Sequence, residues 1–108
     1  MSIQISPRDL ASKIRDGEVP RLLDVREIEE HHFVSLPNST LIPLGELSSR
    51  VDEIEKWKDE VVVVYCHHGI RSLNAIAQLR QCGFTNLQNL AGGIDRWSID
   101  VDPSSPRY

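Results

Sequence analysis

Cysteine is scarce in this 108-residue chain: Cys66 and Cys82 are its only two, so at most one disulfide is available. If the apolar pattern after Cys66 forms one helix over residues 71 to 82, a rise of about 1.5 Å per residue holds the thiols more than ~15 Å apart, whereas a disulfide needs Cα atoms within about 7 Å. Both thiols are therefore expected to be reduced, as in the cytosol. The pairs His31-His32 and His67-His68 lack a second close cysteine, so the four-ligand spacing of a zinc site is missing and no metal is expected. Basic charge is also short. With 12 Lys and Arg against 16 Asp and Glu, the formal charge is −4, which argues against a nucleic-acid surface. No stretch approaches the ~20 apolar residues of a membrane span, and Met1-Ser2-Ile3-Gln4-Ile5 has no basic region leading into an apolar run. A cytoplasmic protein without membrane contact is expected. There is no internal repeat, low-complexity tract or linker. The 40% hydrophobic content suffices for one core, which predicts a single domain over residues 1–108.

Alternating strand and helix signals fill that length. Ser6-Pro7 reads as an N-cap with proline at the first helical position, and Leu10, Ala11 and Ile14 supply an apolar stripe, giving a helix over residues 7–16 that ends at Gly17. Residues 21–26 form a short strand ending in charge, and residues 27–32 a brief helix or turn. Thr40-Leu41-Ile42 is a strand stopped by Pro43, and Leu44, Leu47, Val51, Ile54 and Trp57 recur at helical spacing, predicting a helix over 44–57. The valine-rich run 61–65 has no polar alternation, as expected of a central parallel strand covered on both faces. Leu73, Ala75, Ile76, Leu79 and Cys82 mark the apolar face of the next helix, stopped by Gly83, and this places Cys82 in packing. Residues 86–90 are a further strand, Gly92-Gly93 turn into a short helix holding Ile94 and Trp97, and residues 102–108 form an irregular tail. This order predicts an α/β fold with a mainly parallel sheet of about five strands and helices on both faces. Sites in such sheets lie beyond the carboxyl ends of the strands. The end of the 21–26 strand, Cys66 and the Gly92-Gly93 turn can therefore converge.

The candidate chemistry lies in Cys66-His67-His68-Gly69-Ile70-Arg71-Ser72, where a buried strand gives way to a helix. Unpaired backbone N–H groups and the positive end of a helix dipole favour an anion there, either a thiolate or a sulfur species carried on it. A thiol ordinarily ionises near pH ~8.5, and such a setting lowers that value. Gly69 lets the backbone curl so that N–H groups point inward, Arg71 offers a planar fork suited to an oxyanion, and Ser72 can cap the helix or donate to the bound group. His67 and His68 can add charge or transfer protons. An isolated cysteine is usually a packing residue, but packing needs no loop of Gly, two His and Arg after a buried strand. His31 and His32 read as surface turn residues. Asp24 either fixes local backbone and Arg26 or meets substrate.

These motifs together resemble the single-domain rhodanese family of sulfurtransferases over nearly the whole chain. Leu22-Leu23-Asp24-Val25-Arg26-Glu27 is similar to its Asp-x-Arg-Glu strand end, residues 66–72 to its active loop, and Leu90-Ala91-Gly92-Gly93-Ile94-Asp95-Arg96-Trp97 to its Gly-Gly-x-x-x-Trp segment. The tail Val101 to Tyr108 is similar to that of rhodanese domains fused to enzymes that activate sulfur-carrier proteins. The chain departs from the family at residues 32–39, where Pro37 remains but two expected glycines are replaced, leaving the path of that loop open. The resemblance implies that Cys66 takes sulfane sulfur from a donor such as thiosulfate as a persulfide and hands it to cyanide, a thiol or a protein acceptor. The N–H groups of residues 67–72 would stabilise the persulfide, with Asp24 and Arg26 in support and no cofactor required. Two other readings compete. A cysteine-dependent phosphatase places five residues between cysteine and arginine, whereas four separate Cys66 from Arg71. A non-catalytic interaction module often loses the cysteine that this chain keeps. A relay between protein donor and acceptor is a third form of the main reading.

Overall fold

The valine run becomes the centre of the sheet for a simple reason: with apolar side chains on both sides of the strand, it can be satisfied only by cover on both faces. In the computed structural model, which describes residues 3–108, this strand is β4, Val62–Tyr65, and all four of its residues are buried. Val62 and Val64 face one core, shared with Leu23, Ile76 and Leu79, while Val63 and Tyr65 face the other, shared with Leu10, Leu22 and Trp97. Each such side chain contributes roughly 1.5–3 kcal/mol by leaving water.

In chain order, β1 is Gln4–Ile5, α1 Pro7–Arg15, β2 Arg21–Asp24, α2 Ile28–Phe33, β3 Thr40–Leu41, α3 Leu47–Arg50, α4 Arg71–Gln81, β5 Leu87–Leu90 and α5 Gly93–Asp100. The sheet runs β1-β5-β4-β2-β3 and every pairing is parallel. The α/β expectation of five strands with helices on both faces therefore holds, although β1 is too short to carry a period and was not foreseen. Ser6 caps α1 as expected, its hydroxyl accepting from the Asp9 N–H at 3.1 Å, a contact worth about 1 kcal/mol. Among the described residues, no helix is long and apolar enough to cross a membrane.

Three expectations are corrected. The helix predicted over 44–57 is broken into tight turns at Leu44–Glu46 and Val51–Trp57 around one-turn α3, with Ile54 at non-helical φ −119°, ψ 18°. Gly45 and Asp52, which lie in the two tight turns, favour them over helix, while Leu47, Ile54 and Trp57 still reach the core. Cys82 does not pack inside. It caps α4 in solvent, because Gly83 at φ +96° reverses the chain and Phe84 takes the buried place against Leu79. The Phe84 N–H donates to the Leu79 carbonyl and the Gly83 N–H to that of Arg80, the pattern of a Schellman stop. Leu73 is 38% exposed, since Ser72, Ala75, Ile76 and Leu79 form the inward face of α4.

The altered loop over residues 32–39 has a definite path. Its first two residues continue α2, then Val34 and Leu36 tuck into the core, and Asn38 turns the chain at φ +62°. The Leu36 N–H donates to the Tyr65 hydroxyl at 3.1 Å, fixing the loop to the central strand.

Candidate active site

β4 ends one residue before Cys66, and the chain then folds back on its own sulfur. Gly69 at φ +100° makes the reversal possible, and its N–H donates to Cys66 Sγ at 3.1 Å. The Ser72 N–H donates to the same sulfur at 3.4 Å, and the two side chains meet at 3.4 Å. Cys66 is 1% exposed at the floor of this curl. Burial alone would push its thiol up. The Ser72 hydroxyl and the N–H groups of Ser72, Gly69 and His68 outweigh that penalty, so the thiol ionises below its ordinary value.

Ser72 has one hydroxyl proton and two neighbours for it. That hydroxyl donates to Asn89 Oδ1, a buried amide on β5. With Cys66 as a thiol, S–H can donate to Ser72 Oγ, completing a chain from sulfur to serine to asparagine. When the thiol ionises, the serine proton can turn to the sulfur instead. Asn89 is fixed from its other end, where Nδ2 donates to Gln4 Oε1 at 3.0 Å and to the Gly69 carbonyl at 3.4 Å. It thereby braces the Gly69 turn.

The loop is also held from the side of α5. The Ile94 N–H donates to the Cys66 carbonyl at 2.9 Å and the Asp95 N–H to the His67 carbonyl at 3.1 Å. This contact brings the backbones so close that a Cβ on Gly93 would stand 2.3 Å from the His67 oxygen and 2.5 Å from that of Cys66. Gly93 is thus required by close approach, and the third motif reaches the site through backbone.

At the end of β2, the strand beside β4, lies a buried ion pair. Arg26 Nε and Nη2 donate to the two Asp24 oxygens at 2.9 and 2.8 Å, Nη2 also reaches the Val34 carbonyl, and both side chains are fully buried. Burial works against the guanidinium, but the hydrogen bonds to Asp24 prevail and its pKa is raised. Asp24 also accepts from the Arg26 backbone N–H and meets His31 Nδ1 at 2.8 Å. Asp24 thus fixes both the backbone and the side chain of Arg26. His31, expected in a surface turn, is half-buried on α2 and part of this brace.

Arg71 is engaged rather than open. Its Nη1 and Nη2 donate to Glu30 Oε1 and Oε2 at 2.7 and 2.9 Å. Tyr108 Oη donates to Glu30 Oε2 at 2.6 Å and accepts from Arg26 Nη1 at 2.8 Å. Its ring stacks on His67 with centroids 3.9 Å apart and planes within 9°. Arg71 chiefly, with Tyr108 assisting, holds the Glu30 carboxyl at about 2. Burial and then the hydrogen bond to Glu30 push the Tyr108 phenol up to about 12. His67 is lowered by burial first and by the neighbouring His68 second, which favours its neutral form near pH 7. His68 is exposed, with Nδ1 4.0 Å from Asp95 Oδ2, and Ile70 is 75% exposed on the rim.

The structure therefore gathers Cys66, Gly69 and Ser72 around one sulfur, with Arg71, His67 and His68 around the mouth and Asp24 with Arg26 at the end of the neighbouring β2. Sequence reasoning missed Glu30, Asn89 and Tyr108. Asn89, one of two polar residues in the short strand Leu87–Leu90, was a readable signal, because a buried amide needs partners. Glu27-x-x-Glu30 was another, since Glu30 accepts from the Glu27 N–H at the start of α2 as in a capping box. Nothing local marks Tyr108.

A sequence profile of the rhodanese-like domain matches residues 6–100. The chain is 32% identical, over 97% of its length, to the adenylyltransferase and sulfurtransferase UBA4 of Candida albicans, and spans 25% of that protein. It is 35% identical, over 88% of its length, to the putative sulfur carrier protein YrkF of Bacillus subtilis, of which it spans 50%. Among solved structures, the human single-domain sulfurtransferase TSTD1 superposes with a TM-score of 0.79 at 27% identity, covering 93% of this chain and 98% of that one.

Proposed function

The chain belongs to the rhodanese-like domain family, and from that membership together with the Cys66 cradle we propose that it is a sulfurtransferase working through a Cys66 persulfide. The observation that carries the reading is the pair of N–H donors on a buried sulfur, from Gly69 at 3.1 Å and Ser72 at 3.4 Å. A packing cysteine has no use for them. A nucleophile that must be a thiolate, and must then hold a negative outer sulfur, uses both.

In the first half-reaction the Cys66 thiolate attacks the outer sulfur of a sulfane donor. With thiosulfate, the S–S bond of the donor breaks, sulfite leaves with the electron pair, and the enzyme keeps Cys66–S–S⁻. In the second, an acceptor attacks that terminal sulfur, and the electron pair of the broken bond restores the Cys66 thiolate. Cyanide serves as acceptor in vitro and yields thiocyanate. A thiol or a protein acceptor serves in the cell, which makes the domain a relay. UBA4 and YrkF, named for sulfur transfer and sulfur carriage, support the relay form. A reducing cytoplasm would keep Cys66 and Cys82 as free thiols.

The test is intact mass before and after incubation of the reduced protein with thiosulfate, with peptide mapping and cyanide discharge. A gain of one sulfur on Cys66, lost to cyanide, is expected. No gain from thiosulfate or from an organic persulfide would overturn transfer from small-molecule donors and leave a relay fed only by a protein donor or an interaction module.

A further inference from the structure

The sulfur cradle is built for one negative charge, and among the described residues the arginines around it are already paired. Arg71 opens α4 just beyond the loop, close enough that the Cys66 charge acts on it. Its fork is nevertheless filled by both oxygens of Glu30. Arg26 is filled by Asp24, Val34 and Tyr108. Arg107 is filled by Asp95, which also faces His68. The exposed groups at this end of the sheet include Ile70 at 75%, Phe33 at 54% and the Tyr108 ring, which packs on both Phe33 and His67. A small dianion leaving water for this mouth gains little to replace its hydration.

We propose that Glu30 is a specificity-determining residue that sets the charge selectivity of the site, turning it from small dianionic sulfur donors toward the outer sulfur of an organic persulfide. This rests on the sulfurtransferase reading above. The Cys66 thiolate attacks the outer sulfur of R–S–SH, the S–S bond of the donor breaks, R–S⁻ leaves with the electron pair, and Cys66 carries –S–SH. The apolar rim accepts the carbon chain R, and no second charge has to be neutralised. A purely bracing Glu30, there only to orient Arg71, predicts the opposite: loss of the carboxylate would leave charge discrimination unaltered.

Glu30→Gln separates the two. The amide oxygen, placed as Oε1, can still accept from the Glu27 N–H, so α2 keeps its cap; the amide nitrogen replaces the oxygen that accepts from Tyr108, and Arg71 is left with a net positive charge. Alkylation of Cys66 by iodoacetate and by neutral iodoacetamide reads that charge without any sulfur transfer, and Cys82, about 16 Å away at the other end of α4, serves as reference within each sample. The iodoacetate-to-iodoacetamide rate ratio at Cys66 should rise about threefold at low ionic strength, and persulfidation by thiosulfate about tenfold, because a dianion feels the change twice. Both gains should shrink in 0.5 M salt. Glu30→Asp, which keeps the charge, should keep the wild-type ratio. Persulfidation by the persulfide of N-acetylcysteine methyl ester should be faster than by thiosulfate in the wild type and change little in Glu30→Gln. An unchanged ratio at Cys66, or a gain indifferent to salt, overturns the assignment of Glu30. A raised ratio with no persulfide from either donor upholds the charge gate and instead overturns transfer from small-molecule donors and the donor class with it.

Discussion

The two cysteines sit at opposite ends of α4 and show what a helix terminus does to a thiol. At the N-terminal end the backbone N–H groups have no helical carbonyl to meet, and the Gly69 turn bends them onto Cys66. At the C-terminal end the free groups are carbonyls. Gly83 and Phe84 satisfy them, and Cys82 is left in solvent. A buried sulfur surrounded by donors and an exposed one beside acceptors are chemically different residues on one helix. Position along the helix, rather than residue type or even burial, separates a candidate nucleophile from a bystander.

Replacing each sulfur with oxygen is the most forceful way to break this comparison. Cys66→Ser should abolish sulfur transfer, a loss of about 10³-fold or more, or ~4 kcal/mol in barrier, while thermal unfolding stays near wild type. Thiocyanate formation under saturating donor measures it, and substantial residual turnover would remove Cys66 as the nucleophile.

The brace at the end of β2 gives the next largest effect, this time on stability. Arg26→Met leaves the buried Asp24 carboxylate with only His31 and the backbone N–H of residue 26, and strips the Val34 carbonyl of its donor. Breaking a buried pair from one side costs about 3–5 kcal/mol. The urea midpoint should fall accordingly with the slope unchanged. A shift below about 1 kcal/mol would mean that water reaches Asp24.

Ser72→Ala sharpens the comparison through pH. The native fold holds the Cys66 pKa below that of the unfolded chain, so the stability it contributes is present above the unfolded value and is lost as pH falls through the folded one. Alkylation should follow the thiolate and rise with pH through the folded pKa. Removing the Ser72 hydroxyl deletes one donor, moves that rise to higher pH, and slows labelling several-fold near neutrality while leaving the high-pH plateau alone. A profile that does not move would show that backbone N–H groups alone set the thiolate.

Much of this was legible in advance because it depends on local pattern. The valine run named the central strand, Ser6-Pro7 named the start of α1, and strand-to-helix order named the sheet edge where Cys66, Asp24 and Gly92-Gly93 converge. Where the sequence misled, either turn-forming residues overrode a helical period or a nonlocal or terminal effect was in charge. The 44–57 stripe has helical spacing, yet Gly45 and Asp52 favour tight turns on either side of α3 that bring its side chains to the same core. Leu73 looked like core until Ser72 took the inward position beside the sulfur. Glu30 and Tyr108 reach the mouth from α2 and from the tail, and Tyr108 lies 78 residues from the Glu30 it bonds. No window along the chain holds that contact.

The smallest expected effect tests the other end of α4. In the inward stripe that the sequence suggested, Cys82→Ser would bury a hydroxyl and cost about 1–3 kcal/mol. In solvent at the cap, where Phe84 fills the core place, the same substitution should alter stability by no more than about 0.5 kcal/mol. Persulfide formation on Cys66 should stay within about twofold, since one transfer chemistry needs one sulfur. A matched pair of urea curves and thiosulfate assays decides between them. A large loss of stability would put Cys82 back in the core and dissolve the Schellman account of the α4 terminus. A large loss of rate on a stable protein would instead give the second thiol a place in the transfer, and the two ends of α4 would no longer be chemically separate.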